Sequence, residues 1–238
     1  MPSSPAFTLL LSGCLRGPHP WCFNTLRTHL IDYFKPSIYC QIYNDEISHD
    51  FFDKFKVDRA IILPKSEKPS FDLPPQMRSF PEVKANNVLY MWRNVMLAFD
   101  LASSQVAEGL FMRSRYDIGY TTNVKNAVEQ AYTLAPNEIL IPSGGDSRGG
   151  IFDMFAIGAY QVIRTYCHLY KSIPYYLSLG HPLHSELLLK THLDLHGIKP
   201  VRIDCPIGLC RDPKQLIVNQ GNVPIPGKPH TLLELSSL

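Results

Sequence analysis

The stretch richest in possible chemistry is Gly109-Leu-Phe-Met-Arg-Ser-Arg-Tyr-Asp-Ile118. It opens as an apolar strand and closes on three charged residues spaced two apart. Successive side chains of an extended chain point to opposite faces, so Arg113, Arg115 and Asp117 share one face while Met112, Ser114 and Tyr116 take the other. Two guanidiniums and a carboxylate at the end of a buried strand are costly to desolvate unless they meet a ligand or one another. A diphosphate with a divalent cation satisfies the whole set, the arginines on phosphate oxygens and Asp117 on the metal. An internal Arg–Asp salt bridge satisfies much of the same chemistry, and the spacing alone leaves both readings open.

Two glycine-rich turns accompany this stretch. Phe7 to Leu15 is an apolar run broken by Ser12-Gly13-Cys14-Leu15-Arg16-Gly17, in which the glycines let the backbone approach a ligand and Arg16 stands at a strand's carboxyl end. Ser143-Gly-Gly-Asp-Ser-Arg-Gly-Gly150 is the second, and no Gly-Lys-Ser/Thr follows it, so it is not a triphosphate-binding loop of the usual pattern. Asp153 lies just beyond, in the first turn of a helix predicted over Ile151 to Tyr170. A carboxylate there complements the helix dipole by about 0.3–1 kcal/mol without any ligand.

The elements that must hold these residues alternate between the two periodicities. Strands are predicted at Phe7 to Leu15, Ser37 to Tyr43, Arg59 to Pro64, Glu138 to Pro142 and Val201 to Cys205. Helical spacing runs from Trp21 to Phe34 and, most clearly, from Asn87 to Val106, where Val88, Trp92, Val95, Phe99, Ala102 and Val106 form one stripe. Trp92 on that stripe reads as core; Arg93 lies off it and within reach of a substrate. A further helix spans Asn123 to Tyr132, and a last one runs from Glu186 to His196, capped by Ser185 and closed by Gly197. Strands alternating with helices predict an α/β protein whose mainly parallel sheet is covered on both faces, and ligands of such sheets bind at the carboxyl ends of the strands. Residues 65–85 are proline-rich and without period, a loop long enough to be functional.

The totals exclude several classes. At 238 residues, with 45% hydrophobic and 18% charged content, the chain has a sizeable core and one domain, 1–210, followed by an irregular tail, 211–238. The net charge of +2 lacks the basic stripe of a nucleic-acid binder. The six cysteines show no zinc-ligand spacing and read as reduced thiols of an intracellular protein, with a Cys205–Cys210 bridge left open. Leu11-Ser-Gly-Cys14 has the form of a lipoprotein cleavage box, but the preceding residues carry no Lys or Arg and the apolar run is too short for a signal segment. No apolar run approaches the roughly 18 residues a membrane span needs.

Taken in order, Ser12-Gly-Cys-Leu-Arg16 after a strand, Arg113-Ser-Arg-Tyr-Asp117, Gly149-Gly-Ile-Phe-Asp-Met-Phe-Ala-Ile-Gly158 and Glu186-Leu-Leu-Leu-Lys-Thr-His-Leu193 with Gly197-Ile198 resemble small glycosyltransferases of the GT-A fold. The nearest in pattern are those of bacterial surface-polysaccharide (WavE-like) clusters and of large algal DNA viruses. The resemblance covers roughly residues 7–205 and implies a single GT-A-like (Rossmann-like) domain. It further implies transfer, with inversion, of a sugar from a nucleotide-diphosphate donor to a glycan hydroxyl, with neither nucleic acid nor membrane span involved. By resemblance Ser12, Gly13, Arg16 and Arg93 lie along the donor with Arg113, Arg115 and Asp117, and Asp153 takes the proton of the acceptor hydroxyl, Asp146 standing in reserve. The fold's Asp-X-Asp holds Mn²⁺ or Mg²⁺; here only Asp117 is present. His181, His184 and Glu186 lie where the fold returns a metal or phosphate ligand from its C-terminal half, His184 being the metal candidate, and Ser185-Glu186 reads equally as a plain helix start. An arginine at the missing acidic position does the same electrostatic work without metal. The rival reading is a non-catalytic nucleotide-sugar or glycan-binding module of the same fold.

Overall fold

The computed structural model describes residues 6–13, 15, 20–64, 80, 84–205, 207–212 and 215–218. Arg16, nearly all of the 65–85 loop and the tail past Val218 lie outside these residues.

Four strands, β1 (Phe7–Leu11), β2 (Ser37–Tyr43), β3 (Arg59–Leu63) and β4 (Leu110–Ser114), run parallel. β1, with every residue buried, lies inside the sheet between β2 and β4, as its largely apolar run requires. β6 (Glu138–Pro142) and β8 (Lys199–Ile203) share their direction, whereas β7 (Ala156–Ala159) is antiparallel to both β4 and β6. The resulting seven-stranded order is β3-β2-β1-β4-β7-β6-β8. The chain leaves β1 for β2 and β3 on one side and then returns to β4 on the other. This places the topological switch point at the carboxyl ends of β1 and β4. A small second sheet, in the order β10-β9-β5, joins β5 (Ile118–Tyr120) to the hairpin of β9 (Ile207–Asp212) and β10 (Gln215–Val218). The stretch predicted to be irregular from 211 onward thus begins with paired strands.

Helices cover both faces. On one, α1 (Pro20–Leu26) passes through a π turn, Arg27–Ile31, into α2 (Asp32–Phe34), and α3 (Phe51–Phe55) sets Phe51 and Phe55 against Tyr116 at 5.8 and 5.7 Å between ring centres. On the other, α4 (Ala85–Ser103) buries the predicted stripe of Val88, Trp92, Val95, Phe99 and Ala102. Phe99 meets Phe111 of β4 at 5.8 Å, which fixes the face of β4 bearing Phe111 and Arg113 as the one beneath α4. The remaining helices are α5 (Asn123–Ala131), α6 (Tyr160–Cys167), α7 (Leu169–Ser178) and α8 (Ser185–Leu195). Among the described residues no helix is long and apolar enough to cross a membrane. Cys22, Cys40, Cys167 and Cys205 are buried thiols, so Cys205 forms no bridge.

Three local expectations are corrected. The segment 151–170 is not one helix: 151–155 is irregular, Ala156–Ala159 is strand β7, and helix starts only at Tyr160. The apolar spacing that reads as helical is here used to fill a gap between β4 and β6, and pairing with two neighbours outweighs local propensity. The extended run through Asp117 ends at Ser114, turns, and re-enters extended structure at Ile118 in the other sheet. Ser185 is not the cap of the last helix; His184 occupies that position in an extended conformation, and the Ser185 hydroxyl is used elsewhere.

Candidate functional site

At the switch point the Ser12 N–H donates to the Ser114 carbonyl at 3.3 Å, carrying the β1–β4 pairing one residue past the strand. Ser12 is buried, and Gly13 follows at φ +120 with nothing among the described residues within 4 Å of where a Cβ would stand, so the backbone presents an open face to them there. Leu15 N–H is held by the Glu46 carboxylate at the end of β2, 2.6 Å away.

Asp117 and Arg115 meet as one of the two readings allowed. In the turn after β4 the Arg115 guanidinium donates to both Asp117 oxygens, Nε at 2.7 Å and Nη2 at 2.6 Å, and Asp117 is 2% exposed. A bidentate pair of this kind is among the stronger charge-assisted contacts. The Asp117 carbonyl also accepts the Cys22 thiol at 3.6 Å. Arg113 stands apart from this pair. It is 1% exposed, and Nε, Nη1 and Nη2 all lack hydrogen-bond partners among the described residues. Its charge is felt at Tyr120, Tyr166 and Cys167, whose ionisation burial pushes upward in each case, so none of them supplies a negative charge near neutral pH. Arg93 lies on α4 beside α7, near enough for its charge to act on Tyr170.

The reversed direction of β7 brings its entry, not its exit, to the carboxyl rim, and Asp153 arrives there with it. Asp153 is 7% exposed; its Oδ2 accepts from the Ser185 hydroxyl, which in turn accepts the Trp92 indole N–H at 2.9 Å. Its carbonyl accepts the Tyr166 hydroxyl at 2.8 Å. The dipole explanation for this residue therefore falls, since no helix begins there. Asp146 is held by Arg202 at 2.5 Å and takes the Phe152 N–H at 2.9 Å. Glu186, in the first turn of α8, completes the acidic group. Gly150 packs so closely on it that a Cβ would stand 2.5 Å from the Glu186 carbonyl carbon, and Ile151 N–H donates to the Glu186 carbonyl at 3.1 Å. The glycine pair after Arg148 thus serves to lay the loop onto the start of α8.

Glu186 carries the electrostatic consequence. Burial, and then the neighbouring Asp153 carboxylate, push its pKa up to about 7, partly opposed by hydrogen bonds from Ser147. Its Oε2 is buried without a partner among the described residues. The sequence points to Glu186 as a metal or phosphate ligand of the C-terminal half or as a plain helix start, and neither signal says what packs on it. His184 is 7% exposed and meets the Phe80 ring edge-on at 5.4 Å, while the Arg148 guanidinium lies 4.0 Å over the same ring. His181 faces Tyr176 of α7 at 6.0 Å.

The structure thus gathers Ser12, Gly13, Arg115, Asp117, Asp153 and Glu186 along one rim, with Arg113 just beneath. A metal does not fit the expected ligands as they are placed: both Asp117 oxygens face Arg115, and among the described residues no three His, Cys, Asp or Glu side chains converge. The chain matches no protein-family model and no curated protein sequence.

Proposed function

We propose that this protein is a glycosyltransferase that moves a sugar from a nucleotide-diphosphate donor to a glycan hydroxyl. The observation that carries the reading is that the carboxyl ends of β1 and β4 lie side by side at the switch point, on the same rim as a carboxylate group able to change protonation near neutral pH. The nucleotide lies along Ser12 and Gly13, where the backbone is open. The acceptor oxygen attacks the anomeric carbon as the bond to the diphosphate breaks, the diphosphate leaving with the electron pair. The hydroxyl proton passes to the Asp153–Glu186 pair, in which Ser185 and Trp92 fix Asp153 and Glu186 supplies the group that ionises near pH 7.

A second reading has its own observation. The closed Arg115–Asp117 pair favours a non-catalytic nucleotide-sugar or glycan-binding module. Incubation of the full chain with a panel of nucleotide sugars, with and without Mn²⁺, separates the two. Sugar transfer or slow donor hydrolysis supports the enzyme; saturable binding without either supports the module; neither binding nor turnover with any donor removes both.

A further inference from the structure

Arg115 and Asp117 answer each other, but Arg113 answers nothing. It lies in β4, level with Leu10 of β1 on one side and Ala156 of β7 on the other, directly below the switch point. A guanidinium stays protonated in proteins and cannot shed its charge as a lysine can. Burying it unpaired costs several kcal/mol of solvation, a cost that only an anion in good geometry recovers. Around it stand the hydroxyls of Tyr120 and Tyr166 and the Cys167 thiol, with the Asp153 charge also acting on Tyr166 and the Asp100 charge on Cys167. None of the nearby carboxylates hydrogen-bonds Arg113: Asp117 is taken by Arg115, Asp153 accepts from Ser185 and Asp100 faces His168. The rim stands about two residues above Arg113, roughly 6.6 Å along the strand, a span the flexible arginine stem covers by changing rotamer.

We propose that Arg113 is the counter-charge for a diphosphate bound at the β1–β4 switch point, and that this site takes the anion without a divalent cation. The inference rests on the donor being a diphosphate and adds which residue neutralises it. The Asp117 carboxylate, expected from the sequence to hold metal, instead fixes Arg115 at the edge of the site. Two further unpartnered groups lie on the same side of the sheet: the Gln41 side-chain amide in β2, and the Asn94 Oδ1 on α4, whose Nδ2 donates to the Tyr43 hydroxyl at 2.9 Å.

The test is calorimetric titration of the full chain with inorganic pyrophosphate, in EDTA and again in Mn²⁺. Binding is expected in EDTA, unchanged by Mn²⁺, and weakened at least about tenfold in Arg113→Met. Arg113→Lys, which keeps the charge but loses the fork, falls between the two. Without anion, Arg113→Met is expected to melt above the wild type, because an uncompensated buried charge has gone. The proposal is overturned if pyrophosphate binds only with Mn²⁺, if it does not bind in EDTA at millimolar concentration, if Arg113→Met binds as the wild type does, or if the variant melts lower. Pyrophosphate held by Arg113 in a protein that turns over no nucleotide sugar would keep this inference and remove the glycosyltransferase reading. Strictly Mn²⁺-dependent sugar transfer would do the reverse.

Discussion

On the β1–β4 side of the rim the Asp117 carboxylate is met by two nitrogens of one guanidinium, while on the β6–β7–α8 side burial, then the Asp153 and Asp146 charges, push Glu186 up to about 7. Both sides bear the same cost, that of taking ionic groups out of water, and meet it differently. A counter-charge fixes geometry; a carboxyl raised toward neutrality is able to give and take a proton. The first arrangement suits holding an anion in place, the second suits proton transfer. The division of labour between the two halves of the rim follows from this difference.

The comparison breaks most visibly on the acidic side. Asp153→Asn keeps the shape and the Ser185 contact but removes the charge that raises Glu186, and the rate of sugar transfer or donor hydrolysis is expected to fall by about 10²–10⁴-fold; a rate within a few-fold of wild type would take Asp153 out of the chemistry. On the other side, Asp117→Ala removes the bidentate acceptor of Arg115 and is expected to cost about 3–5 kcal/mol in urea unfolding. The double variant Arg115→Met/Asp117→Leu should recover most of that loss, because a matched apolar pair replaces a broken ionic one.

A pH series sharpens the contrast. The folded protein holds a proton on Glu186 between about 4.5, its ordinary value, and about 7, so its contribution to stability falls as pH rises through that window. His192 acts in the opposite sense: burial pushes it down from 6.5 to about 4, and stability is lost as pH falls through that range. Between about 4.5 and 6.5 the two slopes oppose each other. Glu186→Gln is expected to unmask the His192 slope, making unfolding free energy rise with pH there, and a profile parallel to wild type would show that Glu186 does not carry the proton. The smallest effect belongs to Trp92→Phe, which keeps most of the buried ring but withdraws the N–H from Ser185. It is expected to cost about 1–2 kcal/mol in unfolding, with a modest loss of rate through a less firmly held Asp153.

The sequence makes legible whatever is local or periodic. β1, β2, β3 and the stripe of α4 follow from short, mostly apolar segments of five to seven residues or from a repeat of 3.6. The Arg115–Asp117 contact spans only two residues and is one of the two outcomes that the spacing allows. What escapes is set by distant partners. β7 looks helical until β4 and β6 are placed on either side of it, and the hairpin of β9 and β10 carries little pattern of its own until β5 leaves the main sheet to pair with it. The Trp92–Ser185 bond joins residues 93 apart, and nothing in either neighbourhood announces it. Arg113 is the instructive middle case. Its placement on the strand is read correctly, but its separation from Arg115 arises because the chain turns after Ser114 instead of continuing straight.

The floor of the switch point also carries its own chemical reporter. The Cys22 sulfur rests on the Asp117 carbonyl, and Cys40, its thiol pushed up to about 12 by burial, lies beside Tyr116. Alkylating reagents attack the thiolate and need access to it, so these two sulfurs react only when this part of the molecule opens. Their labelling rate therefore measures how often α1 and β2 come away from the turn after β4, and any molecule that clamps this turn should slow that clock.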